Sequence, residues 1–179
     1  SWYANVTFNT SPQLFQQMYT IHVRKYSTII PVVLMNNKST SSYVSILTEL
    51  NNIRPGLNPE TIMTDYEHAA LLAFRHIYPN AQQQGCFFHL SQCIWRRLQQ
   101  VDGLQQRYAD DPDFALQIKH IAALAFVPPD DVVSTFEELM DSQFFQDNAS
   151  ELLNLTNYFE DTWIGRPARR GGRSNPTYE

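Results

Sequence analysis

Residues 61–78 read TIMTDYEHAALLAFRHIY, and the change of period inside this stretch decides the fold. Thr61–Thr64 is a short, β-branched, extended run. Beyond Asp65, the residues Tyr66, Ala69, Ala70, Ala73, Phe74 and Ile77 recur at three- and four-residue spacing, which marks one face of a helix. A strand passing straight into a helix is the building unit of sheets flanked by helices. Asp65 stands at the switch. As a helix N-cap its carboxylate accepts the amide hydrogens of residues 67 and 68. As a strand-end carboxylate it sits where α/β sheets keep their active sites. The residues alone leave both readings open. Glu67 and His68 are expected to face solvent on the first turn.

Upstream, three extended segments follow one another: SWYANVTF, QQMYTIHV and STIIPVVLM, separated by turn-like NTSPQ and VRKYS. Three strands on short links make an antiparallel meander. The third is an almost continuous apolar run, expected of a strand buried on both faces. A helix carrying Tyr43, Ile46, Leu47, Leu50 and Ile53 then runs to a stop at RPG. Downstream, PNAQQQGCFFHL reads as a turn and a further short strand, before a helix bearing Leu90, Cys93, Ile94 and Leu98. From about residue 105 the pattern is helical throughout. Its stripes are Phe114–Ile118–Ile121–Ala122–Ala125, then Val132–Val133–Phe136–Leu139–Met140 opening at PPDD, then Leu152–Leu155–Phe159–Trp163.

The resulting order is β-β-β-α-β-α-β-α followed by helices. It predicts an α/β fold: an RNase H-like mixed sheet flanked by helices, with an all-helical insertion after the fifth strand. The expected divisions are a partial core over 1–104, the helical insertion over 105–164, and an Arg/Gly-rich loop over 165–179 that leads to a missing part of the core.

A net charge of −5 over 179 residues argues against a free-standing basic nucleic-acid binder. The charge is uneven, because Arg166, Arg169, Arg170 and Arg173 cluster in GRPARRGGR, either as a solvated tail or as a phosphate-contacting segment. Two cysteines, Cys86 and Cys93, are too few for a disulfide scaffold and suggest a reducing compartment. No apolar run reaches membrane-spanning length, so no membrane partner is expected. Both ends read as though cut from a longer chain.

Cys86-Phe87-Phe88-His89 offers a thiol and an imidazole at C-x-x-H spacing. Cys93 lies one helical turn beyond His89, so the three can be imagined on one zinc ion. A tetrahedral site needs a fourth ligand, and the preferred reading is a buried cysteine at the turn with His89 capping or lining a cleft. His22 and His120 stand alone and read as structural. Asn5 is a polar residue on a strand face.

Together these segments resemble the Mutator-like element (MULE) transposase domain, in its animal-type form. FNTSPQLFQQMYTIHV is similar to the family's T-F-x-x-x-P-x-x-F-x-Q-x-Y-x-I-H block. IMTDYEHAA resembles its second-aspartate block, GCFFHLSQCIWRRLQ its C-x-x-H block, and NYFEDTWIGRPARRGGR the segment after the helical insertion. The resemblance implies an RNase H-like catalytic domain in which Asp, Asp and Glu hold two divalent ions, Mg²⁺ or Mn²⁺, for DNA strand cleavage and transfer. It implies transposon-end DNA as partner, the nucleus as location, and a homo-oligomer as an arrangement to look for. By position Asp65 matches the second carboxylate and metal ligand, while Cys86 and His89 match the C-x-x-H pair near the active site. Arg96, Arg97, Arg166, Arg169, Arg170 and Arg173 become the candidates for DNA contact.

Two departures count against activity. The family's D-G-T-F reads Asn5-Val6-Thr7-Phe8 here, and a neutral amide oxygen is the weaker ligand. Glu179 precedes the place of the family's R-T-N-N-x-x-E glutamate and reads as a non-catalytic residue. The expectation is therefore a truncated, inactive transposase derivative. The alternative is a domesticated non-enzymatic DNA- or protein-binding module.

Overall fold

A computed structural model describes residues 1–7, 16–23, 28–168 and 171–178. Five strands form one sheet: β1 (Trp2–Thr7), β2 (Gln17–Val23), β3 (Thr28–Met35), β4 (Thr61–Thr64) and β5 (Gln82–Gly85), in the order β3-β2-β1-β4-β5. β1, β2 and β3 pair antiparallel as the meander requires, whereas β4 runs parallel to β1 and β5 parallel to β4. The protein is thus a mixed α/β fold, with a five-stranded sheet and a helical C-terminal region.

β3 departs from the expectation of a strand buried on both faces, because it lies at the edge of the described sheet. Pro31 explains the placement. The register steps from Thr20↔Val32 to Ile21↔Ile30, leaving Pro31 as the extra residue of a bulge. A residue without an N–H is tolerated at an edge or a bulge and not in a central ladder. β5 is similarly peripheral. Its sequence is QQQG and only Gln83 is more than superficially covered, so no apolar alternation announced it.

Helices α1 (Thr40–Ile53) and α2 (His68–Ile77) pack together and against one sheet face. α1 starts at Ser39, whose side chain accepts the amide hydrogen of Ser42, and it buries Tyr43, Leu47 and Leu50. α2 buries Ala70, Ala73 and Phe74. These small and aromatic residues meet Trp2, Ala4, Tyr19, Ile21 and Ile62 from the strands in one core. Trp2 and Tyr78 close it edge-to-face at 5.2 Å. The alternation Trp2/Ala4 and Ile62/Thr64 in this core sends Tyr3, Asn5, Met63 and Asp65 to the other face or to the strand ends.

The chain divides into two compact units, Ser1–His89 and Leu90–Glu179, the first ending in the opening turn of α3 (Phe87–Leu98). In the second unit come α4 (Leu104–Asp110), α5 (Pro112–Ala123), α6 (Val132–Asp141), α7 (Gln143–Asp147) and α8 (Ala149–Phe159). Aromatic pairs link them: Trp95 with Tyr108 at 5.1 Å, Phe114 with Phe144 at 5.6 Å, and Phe136 stacked on Phe159 at 5.9 Å. PPDD forms a 3₁₀ turn at Pro129–Asp131 and α6 begins only at Val132. α5 ends at Ala123, so Ala125, expected in its stripe, lies in a 3₁₀ turn and is exposed. Among the described residues no helix is long and apolar enough to cross a membrane.

Candidate active site

β1, β4 and β5 run parallel, so their carboxyl ends lie at one end of the sheet. β1 and β4 are paired through Trp2↔Ile62 and Tyr3↔Met63. Two residues beyond that paired stretch lie Asn5, within β1, and Asp65, just past the end of β4. On the other side Thr64 is paired with Gly85, and the Cys86 amide donates to the Thr64 carbonyl at 3.0 Å. Asn5 within β1, Asp65 just past β4 and Cys86 just past β5, dispersed in sequence, thus lie toward the carboxyl side of three neighbouring parallel strands. In open α/β sheets that is where ligands bind.

Asp65 does not cap α2. The N-cap is Glu67 in extended backbone (φ −83°, ψ 107°), and it makes no side-chain cap. Asp65 Oδ1 accepts only the Glu67 amide, at 3.4 Å, and no bond to the residue 68 amide forms. Burial pushes the Asp65 carboxyl above its ordinary range, opposed by the Glu67 amide, His89 and Lys38. A half-buried carboxylate with one long hydrogen bond is poorly rewarded as a structural residue.

Glu67 corrects the expectation that it faces solvent. It is half-buried, and the Tyr43 hydroxyl donates to its Oε1 at 2.8 Å. Tyr43 Oη in turn accepts from Gln17 Nε2 at 2.8 Å, and the same nitrogen lies 3.1 Å from Met35 Sδ. Burial raises the Glu67 carboxyl, the Tyr43 hydrogen bond and Lys38 lower it, and Asp65 raises it. Burial and then the hydrogen bond to Glu67 push the Tyr43 phenol far up. Tyr19 packs edge-to-face on Tyr43 at 4.9 Å and its phenol is also raised, by burial first and then by Tyr43, Asp65 and Glu67. Gln17 Oε1, Tyr19 Oη and Thr64 Oγ1 are buried without a hydrogen-bond partner among the described residues. Polar groups are therefore concentrated under the Asp65 turn, in a core that is otherwise apolar.

Cys86 is the turn residue between β5, which ends at Gly85, and α3, which begins at Phe87, and His89 lies in the first turn of α3. Cys86 is a half-buried free thiol. The His89 ring meets Phe88 edge-to-face at 5.5 Å, and its Nδ1 is buried without a partner among the described residues. Gly85 is needed for close approach, because a Cβ there would run into the hydroxyl and ring of Tyr66. Among the described residues, no three His, Cys, Asp or Glu side chains converge as metal ligands. The donors at the strand ends are the carboxylate of Asp65 and the neutral amide of Asn5. Such a set suits one weakly held hard cation, since Mg²⁺ is commonly held by one or two carboxylates, and falls short of a two-ion site.

The arginines divide by what holds them. Arg96 is exposed, 3.5 Å from Gln92 Oε1. Arg97 donates to Gln100 Oε1 at 2.9 Å and lies over the Tyr158 ring at 5.0 Å. Arg166 grips Asp161 through two nitrogens, at 2.5 and 2.8 Å, and reaches Asn157 Oδ1 at 3.0 Å. That bond holds the Asp161 carboxyl below its usual range. Arg173 donates to the Gly165 carbonyl at 3.0 Å, to Glu160 at 2.7 Å and to Glu137 at 3.2 Å. Arg169, Arg170 and Glu179 lie outside the described residues.

Sequence reasoning put Tyr43 on a helix face and Gln17 in a resembling block without giving either a role, and misplaced Glu67. Their partners are distant along the chain.

The family model of the MULE transposase domain matches residues 2–93, about half of the chain. The match includes Asn5, Asp65, Cys86 and His89 and stops short of the NYFEDTWIGR segment. No curated protein matches the chain.

Proposed function

Because this chain belongs to the MULE transposase domain family, we propose that it is a transposase catalytic domain in which metal-dependent DNA strand cleavage has been lost. The observation that carries the reading is the parallel pairing of β1 with β4, two residues beyond which lie Asn5 within β1 and Asp65 just past β4. It supports an RNase H-like site in which the first carboxylate position is occupied by an amide. The strand order β3-β2-β1-β4-β5 supports the same reading.

A divalent ion in such a site neutralises charge on the attacking and leaving oxygens of an in-line phosphoryl transfer. On this reading Asp65 holds that ion with its carboxylate, and Asn5 offers a neutral oxygen beside it. Removing one negative charge from a cluster of carboxylates weakens the hold on a dication and leaves a second ion without enough ligands. His89, whose charge acts on Asp65, lies at the rim of the site, with Cys86 at the adjoining strand end. The partner is DNA, the ends of a transposon in the family's chemistry, and the place of work the nucleus.

The test is a Mg²⁺- and Mn²⁺-dependent nicking assay on DNA carrying candidate element ends. The native chain is expected to give no cleavage above the metal-only control, while Asn5→Asp is expected to raise Mn²⁺ affinity about tenfold. Robust cleavage by the native chain would overturn the reading.

A second reading is a domesticated module that binds DNA without cutting it. It is favoured by the exposed Arg96 on α3, whose polar contact with Gln92 leaves its charge unneutralised. DNA affinity with a salt dependence that falls when Arg96 and Arg97 are neutralised distinguishes it from loss of both activities.

A further inference from the structure

The chain Gln17→Tyr43→Glu67 joins three elements that the sequence keeps far apart. Gln17 opens β2, Tyr43 lies in the first turn of α1, and Glu67, two residues after Asp65, directly precedes α2. Both links are 2.8 Å long. Gln17 is 0% exposed and Tyr43 1%, so the bond between them is shielded from bulk water and removing one partner leaves the other buried and unpaired, while the bond to half-buried Glu67 is shielded on the Tyr43 side. Tyr43 cannot swing away, since Tyr19 packs edge-to-face against it. Glu67 is fixed at its side chain by Tyr43 and at its amide by Asp65. The turn carrying Asp65 is held at its two ends by backbone bonds, Cys86 N–H to the Thr64 carbonyl and the Ala70 and Leu71 amides to the Glu67 carbonyl, and between them the buried polar column is its side-chain anchor from below.

We infer that Tyr43 and Glu67 are positioning residues for Asp65: the Gln17–Tyr43–Glu67 column holds the β4–α2 turn so that the Asp65 carboxylate stays at the strand end beside Asn5. The inference rests on the reading of Asp65 as the centre of the site. Outer groups that orient a metal-binding carboxylate typically change ion affinity ten- to a hundredfold when removed. Glu67 accomplishes this through an acceptor oxygen, so its shape is required at this step and its charge is not.

The experiment uses the whole chain, amide NMR spectra and Mn²⁺ as a paramagnetic probe. Tyr43→Phe is expected to shift the Asp65 and Glu67 amide signals and to weaken Mn²⁺ broadening around Asp65 about tenfold. Tyr78→Phe is the control, because it removes a similarly buried hydroxyl that donates to Asn51 at 3.0 Å on the same pair of helices. It is expected to leave both readouts unchanged. Glu67→Gln keeps an acceptor for Tyr43 and should leave the Asp65 amide near its native position, whereas Glu67→Ala should displace it. If Tyr43→Phe acts no more strongly than Tyr78→Phe, or Glu67→Gln displaces Asp65 as much as Glu67→Ala, the inference fails. Should Tyr43→Phe not fold, the Glu67 pair decides alone. Absence of any Mn²⁺ broadening at Asp65 in the native chain would sink the cation-site reading instead, and the amide shifts would still judge the positioning.

Discussion

At the scale of single residues, Asp65 carries a cost that its surroundings do not remove. Burial disfavours its charged form more than the Glu67 amide, His89 and Lys38 favour it. A carboxyl whose folded pKa lies above its unfolded value destabilises the fold at neutral pH. That penalty shrinks as pH falls through the folded pKa and is gone below the unfolded one. Asp65→Asn is accordingly expected to raise the melting temperature at pH 7 and to have no such effect near pH 3. Thermal melts of both chains at the two pH values check this, and a lower melting temperature for the variant at pH 7 would show that the carboxylate stabilises the fold. Asp65 itself was legible in TIMTDYEHAA, because the switch from an extended run to helical spacing put a carboxylate at a strand end. Whether it capped the helix was not legible. The N-cap moved to Glu67 because Tyr43, remote in sequence, captures the Glu67 side chain.

At the scale of elements, sequence signals worked where apolar periodicity and local caps coincide. α5 is the clearest case. Asp111 accepts the amide hydrogens of Asp113 and Phe114, both at 3.0 Å, and Pro112 occupies the first turn. This cap separates α4 from α5 within a stretch that periodicity alone reads as uniformly helical. Asp111→Ala is expected to cost about 1 kcal/mol, read from the urea midpoint at unchanged slope; a change under a few tenths would mean that Pro112 alone sets the helix start. Boundaries were less legible than elements. The short strand expected within PNAQQQGCFFHL is β5, and it is confined to QQQG at the sheet periphery, where neither face is deeply covered. CFFH reads as extended because it is aromatic, yet the backbone turns helical at Phe87, leaving Phe87 and Phe88 exposed at 43% and 62%.

For the molecule as a whole, two arginines of the C-terminal cluster, Arg166 and Arg173, are tied into ion pairs of the fold. Arg173 is mostly covered, at 13% side-chain exposure, and joins Glu160, Glu137 and the Gly165 carbonyl. It stabilises a returning segment in which Tyr178 stacks on Trp163 at 5.0 Å and the Ser174 amide donates to the Arg166 carbonyl at 2.8 Å. Gly165, at φ +82°, makes the approach possible, because a Cβ there would collide with the Ser174 carbonyl. Arg173→Ala is expected to cost about 1 kcal/mol, since it removes the nearer of the two guanidinium partners of Glu160 and leaves Arg166 at 3.5 Å. The fold's loss should exceed any loss of DNA affinity, whereas neutralising Arg96 should do the reverse. Melting curves and salt-dependent DNA titrations of both variants separate the two roles. Equal stability for Arg173→Ala and the native chain would make Arg173 a surface residue after all.

β3 also has a consequence for how copies of this protein meet. An outer strand reading TIIPVVLM would otherwise be adhesive, a long apolar ribbon on which a neighbouring chain can lay another strand and begin a fibre. Pro31 removes one donor from that ribbon and, as the extra residue of the bulge, breaks its rhythm against β2. One ring closure in the backbone thus keeps the most hydrophobic strand of the sheet from templating its own repetition.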